Sequence, residues 1–258
     1  MTEVDMPHEL SGEPSDYDLF IEGEYTPPVA EECLDVEFPY DGTVWATVPV
    51  AGATDVDAAV DAARTAFEGG WENSSPSTRR DILHQIADVV EENADELTRL
   101  TVLENGRLLT EMEGYPAAIS DWYRYYASLA MQIEGEVIPV ENKDGGMFNY
   151  TSKEPYGIVG GITPWNSPLL LTAWKLAPAL ATGNTFVHKP SEYTPVGALR
   201  FADLLSEYTD LPDGVYNVVT GEGETGDELA MHDEIDKLAF TGSAETGRSV
   251  GKRAAENL

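Results

Sequence analysis

The stretch GIVGGITPWNSPLLLTAWKLAPALATGNTFVHKPSE, residues 157–192, decides the fold. It opens with a nearly unbroken apolar run at 157–163, turns at a proline-framed loop, and continues into a helix-length apolar segment at 168–181. A second short apolar run, 185–189, follows the turn at Gly183. Short apolar runs without polar alternation fit strands buried on both faces, as in a parallel sheet. The pattern then repeats. Strands are predicted at 215–220 and 237–241, and helices at 196–208, 226–231 and 244–255. Alternation of this kind implies right-handed crossovers, with ligand sites at the carboxyl ends of the strands. The expected fold is α/β, a doubly wound parallel sheet.

Working outward, residues 1–16 are polar, contain Gly12 and Pro14, and read as a flexible arm. Between 17 and 51, short apolar stretches such as 43–50 alternate with Gly and Pro, which predicts short strands. A helical region follows. Thr54 with Asp57 has the spacing of a capping box ahead of Val56, Val60, Ala63 and Phe67, and Gly69-Gly70 stops the run. Ser75-Pro76 caps the next helix, whose face is Ile82, Leu83, Ile86, Val89 and Val90, with Leu97, Leu100 and Leu103 continuing to Gly106. One further helix is expected over 110–131, its Tyr115, Trp122, Tyr123, Tyr125 and Tyr126 serving as core. Two strand-like runs, 137–140 and 147–151, flank Asn142-Lys143-Asp144-Gly145-Gly146 and predict a long, projecting β-hairpin.

Composition narrows the function. The 258 residues carry 47 Asp+Glu against 15 Lys+Arg, a formal charge of −32, with 42% hydrophobic residues. That is enough apolar content for a core, and the wrong charge for a nucleic acid or an anionic membrane. Cys33 is the single cysteine, so neither a disulfide framework nor a multi-cysteine metal site is available, and no metal is expected. The start is acidic without an apolar stretch, and no run reaches the ~20 apolar residues of a spanning helix. A soluble, cytoplasmic protein is the expectation. The acids are spread along the chain. That pattern fits a solvated surface and, more sharply, a salt-rich interior where screening at about 1 M shortens the Debye length to about 3 Å. Only 6 of the 15 basic residues are lysines, in keeping with that halophilic reading.

The strand ends carry the chemistry. Asn166, between Pro164 and Pro168, is either an oxyanion donor at a helix start or that helix's cap. Lys189 with Ser191 and Glu192 can hold a ribose, Glu192 accepting from its hydroxyls and repelling a 2′-phosphate; otherwise they form an exposed loop ion pair. His188 reads as a packed strand residue. Gly221-Glu222-Gly223-Glu224-Thr225-Gly226 is a literal G-x-G-x-x-G, but its two glutamates oppose a pyrophosphate and the next strand comes early, so it reads as a decoy or an adenine-side loop. Thr241-Gly242-Ser243, ahead of a helix, is the better pyrophosphate site, unless Ser243 is only a cap.

Together these loops resemble the aldehyde dehydrogenase superfamily. Thr163-Pro164-Trp165-Asn166, Lys189-Pro190-Ser191-Glu192 and Phe240-Thr241-Gly242-Ser243 stand in that family's order and approximate spacing. Glu104-Asn105-Gly106 and the aromatic helix at 116–129 are also similar, and the resemblance spans about residues 19–258. It implies a variant Rossmann fold and the NAD(P)-dependent oxidation of an aldehyde to an acid, with NAD favoured over NADP. It also implies that Asn166 supplies an oxyanion donor to a thiohemiacetal, and that Ile162, Thr163, Pro164 and Trp165 line the cofactor cleft. Lys189, Ser191 and Glu192 would meet the adenosine ribose. Gly223 and Gly226 would lie beside the adenine, and Phe240, Thr241, Gly242 and Ser243 at the pyrophosphate. The implied organisation is an arm at 1–16, strands and helices of the cofactor domain at 17–135, an oligomerisation hairpin at 136–155, and a dinucleotide-binding core at 156–258.

The departures matter as much. The family places a glutamate base in a Leu-Glu-Leu-Gly-Gly stretch, and a catalytic cysteine with a second α/β domain after it; none is found in these residues. Ser167 also replaces an aromatic residue of the family motif. The expectation is the cofactor-binding part of an aldehyde dehydrogenase, homo-oligomeric if complete, without turnover on its own. The alternative is a non-catalytic NAD-binding or oligomerisation module. A short-chain dehydrogenase is discarded, because none of the 12 tyrosines has a lysine four residues later.

Overall fold

The structure is a computed structural model that describes residues 15–141 and 145–257. Most of the expected arm and the middle of the expected hairpin turn lie outside those residues. Strands β1 (Ser15–Asp16), β2 (Leu19–Ile21), β3 (Glu24–Thr26), β4 (Cys33–Phe38) and β5 (Thr43–Pro49) come first. Helices α1 (Ala53–Glu68), α2 (Pro76–Glu92), α3 (Ala94–Asn105), α4 (Leu109–Met112) and α5 (Tyr115–Ala130) follow. A hairpin of β6 (Val137–Ile138) and β7 (Asn149–Tyr150) leads to β8 (Ile158–Ile162), α6 (Pro168–Ala181), β9 (Thr185–Lys189) and α7 (Val196–Tyr208). The chain closes with β10 (Tyr216–Val218), α8 (Gly223–Met231), β11 (Lys237–Phe240) and α9 (Ala244–Ala254).

The central sheet has the order β11-β8-β9-β10-β2-β3. β11, β8, β9 and β10 are parallel, and β2 and β3 extend the sheet antiparallel beside β10. Helices cover both faces, as the doubly wound reading requires. Side chains alternate: Phe186 and Tyr216 pack with α6 and α7 residues in one cluster, Val187 and Val219 with α1 residues in the other. Gly161 is required on β8, because a Cβ there would meet the Phe186 ring at 2.1 Å. Parallel strands with both faces buried bring about 25 cal/mol per Å² of apolar area out of water, the main term holding this layer together.

Local details correct several expectations. The cap of α1 is Gly52, not Thr54: Asp55 Oδ2 accepts the Gly52 N–H at 2.9 Å while its Oδ1 accepts the Val29 N–H at 2.9 Å. Asp55 is buried, so its carboxylate ties the strand region to the helix. Ser75 behaves as expected, its Oγ accepting the Thr78 N–H at 3.0 Å. The helix through Leu97 is a separate element, broken at Asn93 (φ −107°, ψ 23°) and closed by Gly106 in the left-handed region. The single helix expected over 110–131 is two, divided at Glu113-Gly114, with Pro116 in the first turn of α5. Its aromatic stripe is only half core. Tyr123 and Tyr115 are buried, whereas Tyr125 is exposed and Trp122 packs edge-on against the exposed Trp174 of α6. Ser15 and Asp16, assigned to the arm, pair in parallel with β5. The hairpin is present, and among the described residues its strands are Val137–Ile138 and Asn149–Tyr150, shorter than expected, with the Thr151 N–H donating to the Glu136 carbonyl beside them.

Candidate functional site

The chain runs from β8 through α6 to β9 on one side, while β11 returns to the other side of β8. That reversal opens a crevice at the carboxyl ends of β8 and β11, the position where doubly wound sheets bind ligands. The crevice measures about 840 Å3. Its walls bring together Ile162, Thr163, Pro164 and Trp165 after β8, and Lys189, Ser191 and Glu192 after β9. Gly223 and Gly226 of α8, and Phe240, Thr241, Gly242 and Ser243 after β11, complete them. Every residue assigned from sequence to the cofactor lines this one cleft. Asn166 stands next to it in the chain but is not part of the lining.

The β9 wall is the most buried. Lys189 is 5% exposed, and its Nζ lies 3.8 Å from Glu192 Oε2. Burial lowers the Lys189 pKa, with Glu192 and Glu222 pulling the other way. An ammonium so desolvated with one distant partner keeps donors for a ligand, which an exposed loop pair would not. Ser191 Oγ donates to Glu192 Oε2 at 3.2 Å and orients the carboxylate. Behind the wall, buried Glu104 accepts the Val196 and Gly197 N–H groups with Oε1 and caps α7. Burial raises its pKa to about 8 against those two hydrogen bonds, and its Oε2 has no partner.

The β8 loop removes one of the two readings of Asn166. Ser167 is the cap residue of α6, without a side-chain cap bond, so Asn166 is not the cap. Asn166 is exposed, and among the described residues no hydrogen bond occupies its side-chain amide. Pro168 starts α6, as the sequence predicts.

The β11 wall combines both readings of Ser243. Its Oγ accepts the Thr246 N–H at 3.0 Å, capping α9, and the residue still faces the cleft. The first amides of α9 remain free to meet an anion. Gly242 has a packing role too: a Cβ there would meet Phe240 Cζ at 2.5 Å. In the G-x-G-x-x-G segment, Gly221 (φ +144°) has no room for a side chain because Thr225 Oγ1 would lie at 2.1 Å, so it serves the turn. A Cβ on Gly226 would lie 3.8 and 3.9 Å from Ile162 and Lys189, and Glu222 and Glu224 also line the cleft.

One residue beside the cleft escaped the sequence reading. Lys175 Nζ on α6 donates to Thr241 Oγ1 at 2.5 Å, linking the helix after β8 to the loop after β11. Burial lowers its pKa to about 8. The available signal was a lone cation inside an otherwise apolar helix, 168–181. Cys33, on β4, is exposed and pairs with Pro49 of β5; it is no part of the cleft.

The chain is similar to known proteins over nearly its whole length. The chain is 42% identical over 246 residues to NADP/NAD-dependent aldehyde dehydrogenase PuuC of Escherichia coli (strain K12), covering 93% of this chain and 48% of that protein. It is 41% identical over 248 residues to phenylacetaldehyde dehydrogenase of Pseudomonas fluorescens, covering 94% and 49%. Betaine aldehyde dehydrogenase from Staphylococcus aureus, crystallised with NAD+, superposes with a TM-score of 0.89 at 38% identity, over 94% of this chain and 48% of that one. The chain thus spans about half the length of the relatives it matches. The model of the aldehyde dehydrogenase family matches residues 25–258, and with these identities the chain belongs to that family.

Proposed function

We propose that this chain supplies the NAD-binding cleft and one oxyanion donor of an aldehyde dehydrogenase, an enzyme that oxidises an aldehyde to a carboxylic acid. The observation that carries the reading is the convergence of the loops after β8, β9 and β11 on one switch-point cleft with a buried lysine in its wall. The donor set fits the nucleotide: Lys189 donates to ribose hydroxyls, Glu192 accepts from them, and the start of α9 faces the diphosphate. Glu192 also places a negative charge where NADP+ would carry a 2′-phosphate, which favours NAD+. Bound NAD+ supplies the hydride acceptor. The unengaged Asn166 amide stabilises charge developing on a carbonyl oxygen.

No nucleophile is assigned to these residues, because Cys33 lies on β4 outside the cleft lining. Titration of NAD+ with a parallel aldehyde oxidation assay tests both halves: saturable binding without turnover is expected. Turnover by these 258 residues would overturn the assignment of the nucleophile, and absence of binding would overturn the cleft. A non-catalytic NAD-binding module is the second reading, favoured by the same position of Cys33.

Two further parts of the reading rest on the surface. The hairpin exposes Val137, Ile138, Met147, Phe148 and Tyr150, an apolar strip that suits homo-oligomer formation. Among the described residues only Asp55 and Glu104 of the acids are buried, so the negative charge is on the surface. We read this as adaptation to a salt-rich cytoplasm, where screening removes self-repulsion. Among the described residues, no helix is long and apolar enough to cross a membrane.

A further inference from the structure

Under the cleft, on the sheet face that α6 covers, one imidazole joins four elements. His188 of β9 is fully buried, and both ring nitrogens are bonded. Nε2 lies 2.8 Å from Thr163 Oγ1, and Nδ1 lies 2.9 Å from the Tyr216 hydroxyl on β10. Thr172 Oγ1 of α6 is 3.4 Å from Nε2. The Thr172 hydroxyl donates to the Pro168 carbonyl at 2.9 Å, so it turns only lone pairs toward the ring. On that ground we assign the hydrogen to Nε2. Nε2 carries the hydrogen and gives it to Thr163, while Nδ1 accepts from the Tyr216 O–H.

Thr163 is where the chain leaves β8 for the turn bearing Trp165 and Asn166. Its amide donates to the Lys189 carbonyl at 3.2 Å. Beyond it Pro164 has no N–H, and among the described residues the amides of Trp165, Asn166 and Ser167 make no backbone hydrogen bond. The turn therefore depends on how its first residue is held. A buried strand position of this kind ordinarily takes an apolar side chain; a polar one is tolerated when its groups find partners, as both ring nitrogens of His188 do.

We infer that His188 is a positioning residue of the cleft: its Nε2–H holds Thr163 Oγ1 and so fixes the turn from which Trp165 and Asn166 project. The consequence for ligand binding rests on the NAD reading above, whereas the anchoring does not. Burial, then the charges of Lys175 and Lys189, hold the imidazole neutral, its pKa lowered to about 3.

The test uses the 258-residue chain in molar KCl. Long-range 15N–1H spectra of His188 should show a hydrogen on Nε2 and none on Nδ1, unchanged between about pH 5 and 9. His188→Leu, similar in bulk without the donor, should speed amide exchange at residues 163–167 about tenfold and weaken NAD+ binding about fivefold, the effect of losing one buried hydrogen bond. His188→Gln, which restores a donor at the Nε2 position, should recover most of both. An imidazole protonated on Nδ1, equal losses in both variants, or wild-type exchange in His188→Leu would each overturn the inference. Should the parent chain fail to bind NAD+, the cofactor reading falls, while spectra and exchange still decide the role of His188.

Discussion

On the β9 side of the cleft Lys189 and Ser191 are buried, and the strand beneath them is paired on both edges. On the β11 side the strand pairs, among the described residues, with β8 alone, and Val250 is the one buried residue of α9. The walls also differ in local interactions. Glu104 and the Lys189–Glu192 pair stiffen the first, while the second has the Ser243 cap and the Lys175–Thr241 bond. Within these residues the β11 wall thus has fewer buried contacts than the β9 wall. On the proposed NAD reading, the β9 wall would meet the ribose and the β11 wall the diphosphate.

The strongest way to break this contrast is Lys189→Met. It removes the buried ammonium, and NAD+ affinity by calorimetry should fall about a hundredfold, the loss of two charge-assisted hydrogen bonds. Unchanged affinity would remove the β9 wall from recognition. Gly242→Val acts on the other wall. Its branched side chain must displace the Phe240 ring, and NAD+ binding should weaken about tenfold while α9 amides exchange faster. If exchange in β9 rises equally, the walls are not independent.

Glu192→Ser sharpens the contrast: removing the carboxylate should shift the NADP+ to NAD+ affinity ratio about tenfold toward NADP+. Unaltered discrimination would place selectivity elsewhere. The smallest effect concerns Glu104. Its folded pKa, about 8, stands above the ordinary 4.5, so the folded state holds that proton more tightly than the unfolded chain. The resulting stabilisation is complete below 4.5 and is lost as pH rises through about 8. Relative to wild type, Glu104→Gln should therefore gain about 5 °C in Tm between acidic and alkaline buffer. A constant difference across that range would exclude this group as the source.

The parallel core was legible because its signals are local. Pro168 starts α6, Gly183 ends the turn before β9, and the bounds Pro168–Ala181, Thr185–Lys189 and Val196–Tyr208 match those read from sequence. What escaped depends on partners far along the chain. Asp55 caps Gly52 because it also holds Val29, and β2 reaches the sheet through the Val218–Phe20 pairing. The break at Glu113-Gly114 was hidden because apolar and aromatic residues continue past it. At the site, the residues singled out by type and order line one cleft. Type and order left Asn166 between donor and cap, since that choice turns on one residue of helix register, Ser167. His188 read as simple packing because its partners come from α6, β10 and the residue after β8, a coincidence visible only in three dimensions.

The central claim, that a dinucleotide lies across the β8–β11 switch point, is tested most directly by NAD+ titration of the 15N-labelled chain in molar KCl. The account predicts saturable shifts confined to residues 162–166, 189–192 and 240–249, with slowed amide exchange in α9 and little change in β9. Shifts centred elsewhere, or none at saturating NAD+, would contradict it.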